Sequence, residues 1–169
     1  SFNKFIKTLE SKDNFFANIS NHSAWLRTSH LSRQLAYYEI FKQTLKIPGS
    51  IAEFGVWRGS NFFFLARLLE IFSNSVYEPN SMSNKYLYGF DTFEGLKGVT
   101  TNDKSLNFHD QNKEGGLSFE LSIFEEALNY IKSELIYPDR IKIVRGDVTN
   151  TWPKFIEDNP GAKFSLVIL

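Results

Sequence analysis

Ser50-Ile51-Ala52-Glu53-Phe54-Gly55-Val56-Trp57-Arg58-Gly59-Ser60 is the stretch on which the fold turns. Ser50 to Phe54 reads as a short strand. Gly55 to Gly59 is a glycine-bearing turn, and Ser60 to Phe72 reads as a helix begun by a Ser or Asn cap. Working outward, Lys85 to Phe90 is a second strand, Ser118 to Leu135 a helix and Arg140 to Val144 a third strand. A short helix over Trp152 to Glu157 precedes a last apolar run, Phe164 to Leu169. Strands alternating with helices imply right-handed crossovers and a parallel α/β sheet with helices on both faces. Upstream, Leu35, Tyr38, Phe41 and Leu45 give one apolar face to a helix over Ser32 to Leu45, which Pro48-Gly49 stops. Phe2, Phe5, Ile6 and Leu9 suggest a short amphipathic helix at the start. The chain therefore divides into a helical lead-in over residues 1–47 and a sheet domain over residues 48–169.

Composition narrows the partners. A chain of 169 residues, 42% of them hydrophobic, buries one substantial core. Nineteen basic against nineteen acidic residues leave no global field for a polyanion, which argues against nucleic acid as the partner. The absence of cysteine excludes a disulfide framework and a thiolate nucleophile within this stretch, and fits the cytoplasm. No apolar run approaches the roughly 20 residues that span a bilayer. Most of the seventeen phenylalanines are expected in the core, because Asn61-Phe62-Phe63-Phe64-Leu65 lacks the interleaved basic residues of a base-stacking surface.

In an open α/β sheet, ligands bind beyond the carboxyl ends of the strands, so residues just after each strand are the candidates. Glu53 ends the first strand, and Gly55 and Gly59 bracket the turn. A dinucleotide fold wants G-x-G-x-x-G, but the spacing here differs and Trp57 fills the crowded position. A cationic ligand suits an acidic residue beside a glycine turn better, since a carboxylate closing an apolar strand is costly to bury without a partner. Two glycines also serve a plain βα turn. Asp91, closing Tyr86 to Phe90, is placed to accept ribose hydroxyls; it also reads as a turn-forming or capping aspartate. Ser73 to Asn84 is an exposed insertion that lengthens its spacing from Gly55. Gly146-Asp147, after the third strand, stands where a polar group meets an adenine edge, a weak signal alone.

Other polar groups carry less. His109-Asp110 could perform acid–base work but reads as a solvated pair in the long polar loop Asp91 to Gly116. His22 and His30 lack metal-ligand spacing, and no metal site is visible. Arg27, Arg33 and Lys42 read as a solvated helix surface. The loop Lys97 to Gly116, flanked by Gly98 and Gly115-Gly116, reads as a lid or acceptor-binding element.

Taken together, Ile51 to Ser60 and Tyr88-Gly89-Phe90-Asp91-Thr92-Phe93-Glu94-Gly95-Leu96 resemble the macrocin O-methyltransferase family. The second string, G-F-D-T-F-E-G-L, is the more specific. The resemblance covers about Pro48 to Leu169 and implies a Rossmann-like class I methyltransferase sheet that binds S-adenosyl-L-methionine (SAM). The cofactor-facing set it implies is Glu53, Gly55, Val56, Trp57, Gly59, Ser60, Asp91, Thr92, Gly146 and Asp147. It also implies methyl transfer to a sugar hydroxyl of a small molecule or glycan, assisted by Mg2+ whose ligands fall outside this stretch. A homo-oligomer stays open. A non-catalytic SAM-fold binding protein and a nicotinamide-dependent reductase are the alternatives. Phe164 to Leu169 reads as a central strand, which predicts more sheet after this fourth strand and, by the resemblance, an acidic residue soon after Leu169.

Overall fold

The computed structural model describes residues 22–24, 26–73, 85–99, 113–118 and 120–169. Two compact units divide at Ala36 and Tyr37. The described part of the first holds a 3-10 turn, His22–Ala24, and the opening of α1 (Thr28–Thr44). The second begins inside α1, ahead of the boundary read at Pro48, and holds β1 (Ser50–Phe54), α2 (Ser60–Ser73), β2 (Leu87–Asp91), α3 (Leu121–Glu134), β3 (Ile141–Arg145), α4 (Val148–Asp158) and β4 (Phe164–Ile168). Among the described residues no helix is long and apolar enough to cross a membrane.

The four strands form a parallel sheet in the order β3-β2-β1-β4. Ile51 pairs with Leu87, and Leu87 with Ile141, so three buried side chains form one layer on the face that α2 and α3 cover. The alternate residues Ala52 and Phe90 face the other way, onto Phe155 of α4. This period-two alternation under helices on both faces is the expected α/β sandwich. In α2, Phe62, Leu65, Ala66 and Leu69 recur at helical spacing and are all buried. Gly89 lets that helix approach, because a Cβ there would meet Phe62 and Val56 at 2.7 Å.

A bulge changes the parity of β4. Ser50 pairs with Phe164 but Ile51 with Leu166, so Ser165 is the extra residue. As a result Phe164 joins the α4-side core while Leu166 packs on the opposite one. The buried Lys85 locks this corner: its ammonium donates to Ile47 O at 2.6 Å, Gly49 O at 2.7 Å and Ser165 Oγ at 2.8 Å. Burial pulls this amine below the ordinary lysine range, and three acceptors use all its donors.

Among the described strands β4 is the last in the sheet order, beside β1, with Val167 50% exposed. One reading from sequence needs revision. The last helix starts at Val148, earlier than Trp152. Asp147 caps it by accepting the Thr149 N–H, and Pro153 falls inside it.

Candidate active site

A cavity of about 340 Å³ opens over the carboxyl ends of β1, β2 and β3. That is the lower range for a small-molecule pocket. Gly55, Trp57, Asp91, Thr92, Gly146 and Asp147 line it, six of the residues chosen from sequence. Gly55 adopts φ +84, and a Cβ added there would meet nothing within 4 Å, so the missing side chain leaves open space for a ligand.

Asp91 organises the cavity floor. Its Oδ2 accepts the N–H of Trp57 at 2.7 Å and its Oδ1 accepts the N–H of Phe93 at 2.7 Å. Both donors belong to non-glycine residues in the left-handed region, Trp57 at φ 50 and Phe93 at φ 59. Such residues cost about 1–3 kcal/mol and persist where their surroundings hold them. Here one carboxylate holds both. An ionised carboxylate offers about four lone-pair sites, so each oxygen keeps capacity for one hydroxyl donor.

Glu53 lies on the α2 side of β1 and is 3% exposed. Its Oε2 is buried without a hydrogen-bond partner. Burial pushes the carboxyl from its ordinary 4.5 up to about 8; a hydrogen bond from Asn61 opposes this and the charge of Asp91 adds to it. Asn61 in turn donates to the Tyr37 hydroxyl at 3.3 Å. A buried carboxyl oxygen with no partner is unusual in a native fold and points to a missing one.

The remaining candidates separate by role. Val56 is buried in the α2-side core, and a Cβ on Gly59 would meet Phe63 at 2.5 Å and Phe124 at 2.9 Å, so both pack the turn and neither lines the cavity. Ser60 is the exposed first residue of α2. Thr92 Oγ1 accepts the Glu94 N–H at 3.1 Å and shapes the turn after β2. Gly146 extends the sheet by donating to Asp91 O at 2.9 Å. Asp147 Oδ1 accepts from the hydroxyl of Thr149 at 2.6 Å and from its N–H at 2.8 Å, which holds its carboxyl below the usual range. His109 and Asp110 lie outside the described residues, as do residues 100–112 of the loop read as a lid. Among the described residues no three His, Cys, Asp or Glu side chains gather closely enough to hold a metal ion.

Sequence reading missed the apolar walls. Phe54, Phe90, Leu96, Leu117 and Val148 complete the cavity, with Gly95 and Lys97 beside them. Gly95 and Leu96 stood inside the G-F-D-T-F-E-G-L string without an assigned role. Leu117 had no sequence signal; a stem brings it in. Leu96 N–H donates to Gly116 O at 2.7 Å and Gly115 N–H to Leu96 O at 2.8 Å, while the Glu114 carboxylate accepts the N–H groups of Gly98 and Val99 at 3.2 Å each.

Comparison with known proteins agrees with this fold. The solved structures that resemble the chain include the following two. One is the crystal structure of CalS11, described as a calicheamicin methyltransferase, with TM-score 0.77 and 25% identity over 97% of this chain and 63% of that one. The other is an apo structure of CalS11, described as a TDP-rhamnose 3'-O-methyltransferase of calicheamicin biosynthesis, with TM-score 0.66 and 25% identity over 97% of this chain and 62% of that one. The chain thus spans less than two thirds of the length of those structures. No curated protein sequence matches it. The profile described as macrocin-O-methyltransferase (TylF) matches residues 28–159, most of the sequence. This chain belongs to the macrocin-O-methyltransferase family.

Proposed function

We propose that this protein is a SAM-dependent O-methyltransferase that methylates a sugar hydroxyl on a nucleotide sugar, glycan or glycosylated small molecule. The reading rests on one observation: a cavity at the strand ends joins the Asp91 carboxylate to the open face of Gly55, two residues after Glu53, which does not line the cavity and keeps a buried oxygen without a partner. A ligand carrying both a ribose and a cation matches those acceptors. The family and the described activity of CalS11 support the choice of a sugar hydroxyl.

When bound, the cofactor supplies an electrophilic methyl group on a sulfonium. The protein's work is orientation and water exclusion. Asp91 would accept the ribose hydroxyls on its free lone pairs while its two backbone bonds fix its position. Phe54, Leu96, Leu117 and Val148 would cover the adenine and keep water away. Glu53 would face the ammonium of the methionine part. Magnesium assistance, implied by the resemblance, finds no ligand set among the described residues.

Titration calorimetry with S-adenosylhomocysteine, the demethylated product, tests the cofactor. Transfer of labelled methyl to nucleotide-sugar and glycosylated acceptors tests the reaction. Displacement by NAD would favour a reductase, and binding without transfer to any sugar acceptor would favour a silent binding protein.

A further inference from the structure

Glu53 is the one buried carboxyl in the described core, 3% exposed. One oxygen has no partner and the other end of the group is held by Asn61. The groups facing it are few. Asp91 stands at the end of β2, Asn61 comes from α2 with Tyr37 of α1 behind it, and the sheet neighbours Gly89 and Ile168 carry no charge. No basic side chain is among them. An ionised carboxylate in that position would be desolvated, unpaired and close to a second negative charge, and all three disfavour the charged form.

We propose that Glu53 is a carboxylic acid in the empty protein and releases its proton to solvent when the cationic end of the cofactor docks against it, so that binding is coupled to the loss of one proton. The inference rests on the cofactor reading above. It adds a property that reading does not require, since a carboxylate ionised throughout would bind the same cation with no proton released. The balance is simple: the acid plus an ammonium-bearing ligand gives the carboxylate–ammonium pair and one hydrated proton. Burial and the Asp91 charge hold the proton on in the empty site, in the direction already seen for this group. The incoming cation supplies the opposite charge that burial denied it.

Calorimetry of S-adenosylhomocysteine binding in two buffers of different ionisation enthalpy, at about pH 6.5 where an α-amino group is still protonated, counts the protons. One proton released by the wild type and none by Glu53→Gln is the expected result. Affinity of the wild type should then rise about tenfold per pH unit between about pH 6 and pH 7, while that of the variant stays level. Infrared difference spectra give a second readout that needs no variant: a protonated carboxyl stretch present in the free protein and lost on binding. Tight binding with no proton released, or an equal release in Glu53→Gln, overturns the inference and leaves the cofactor reading standing. Failure of the ligand to bind at all overturns both.

Discussion

The carboxylate of Asp91 accepts the backbone N–H of Trp57 at 2.7 Å across a separation of 34 residues, tying the end of β2 to the turn that follows β1. The same carboxylate holds Phe93. One side chain therefore fixes two left-handed residues and presents its remaining lone pairs to the cavity.

Replacing Asp91 should cost both stability and binding. In Asp91→Ala two backbone N–H groups lose their acceptor, a loss of about 1–3 kcal/mol each where water cannot replace it and less where it can. S-adenosylhomocysteine affinity should fall at least about tenfold, the worth of one charge-assisted pair. Urea denaturation and calorimetry on the same variant separate the two effects. Undiminished affinity would remove Asp91 from the ribose site.

Gly55 and Gly59 look alike in sequence and should behave differently. Gly55→Ala places a methyl in open cavity space and in a left-handed conformation, a strain of about 1–2 kcal/mol, so its larger effect should be on ligand affinity. Gly59→Ala, likewise left-handed at φ +81, drives a methyl into the Phe63 and Phe124 rings and should destabilise by about 2–5 kcal/mol, with affinity restored under conditions where the variant is folded. Equal losses of affinity at matched stability would contradict this division.

The contrast between these glycines shows what could be read from the sequence. The strand, turn and helix of residues 50–73 were legible because the short, mostly apolar run of Ile51, Ala52 and Phe54 gives way at Gly55 to helical spacing. Asp91 was legible as the acidic residue closing a strand. Two things were not. Val56 and Gly59 share a motif with Gly55, and a motif does not say which of its members faces the ligand and which faces Phe124. Leu117 reaches the cavity through backbone bonds between Leu96 and Gly116, which no side-chain pattern announces. The bulge at Ser165 was hidden for the same reason, since an apolar strand reads alike with or without a parity change.

That stem gives a third expectation. Gly95 has no room for a Cβ, which would meet the carbonyl oxygens of Gly115 and Gly116 at 2.6 Å, so Gly95→Ala should part the two segments. Glu114→Ala should leave the segments paired through Leu96 but free the amides of Gly98 and Val99. Hydrogen exchange read at those two amides should quicken in Glu114→Ala. Unchanged protection there would mean the carboxylate contributes nothing to the stem.

Lys85 offers a test at the opposite end of the strands. Lys85→Met keeps most of the buried length but strands the Ile47 carbonyl, while the Gly49 carbonyl keeps the Ser165 hydroxyl at 3.1 Å, and loss of charge-assisted bonds of this kind costs about 1.5–3 kcal/mol. Because none of its partners lines the cavity, ligand affinity of the folded variant should match the wild type. A variant as stable as the wild type would show that water replaces the ammonium.

Glu53 should leave its mark on the ligand-free protein as well. Its folded carboxyl titrates at about 8 against an ordinary 4.5, so between those values the folded state holds a proton that the unfolded state has lost. Stability is then greatest below the unfolded value, falls as pH rises through the interval, and stops falling above the folded value. The slope in that window is about 1.4 kcal/mol per pH unit for a fully coupled proton. Glu53→Gln keeps the shape and the Asn61 contact of the neutral acid but cannot ionise, so its stability should lack this component. Urea midpoints of both proteins at about pH 6 and pH 7.5 should therefore draw apart, with the variant ahead at the higher pH by roughly 1–2 kcal/mol. Parallel curves would mean that the wild-type carboxyl is ionised in the folded protein throughout that range, and that the Asn61 bond or unseen water outweighs its burial.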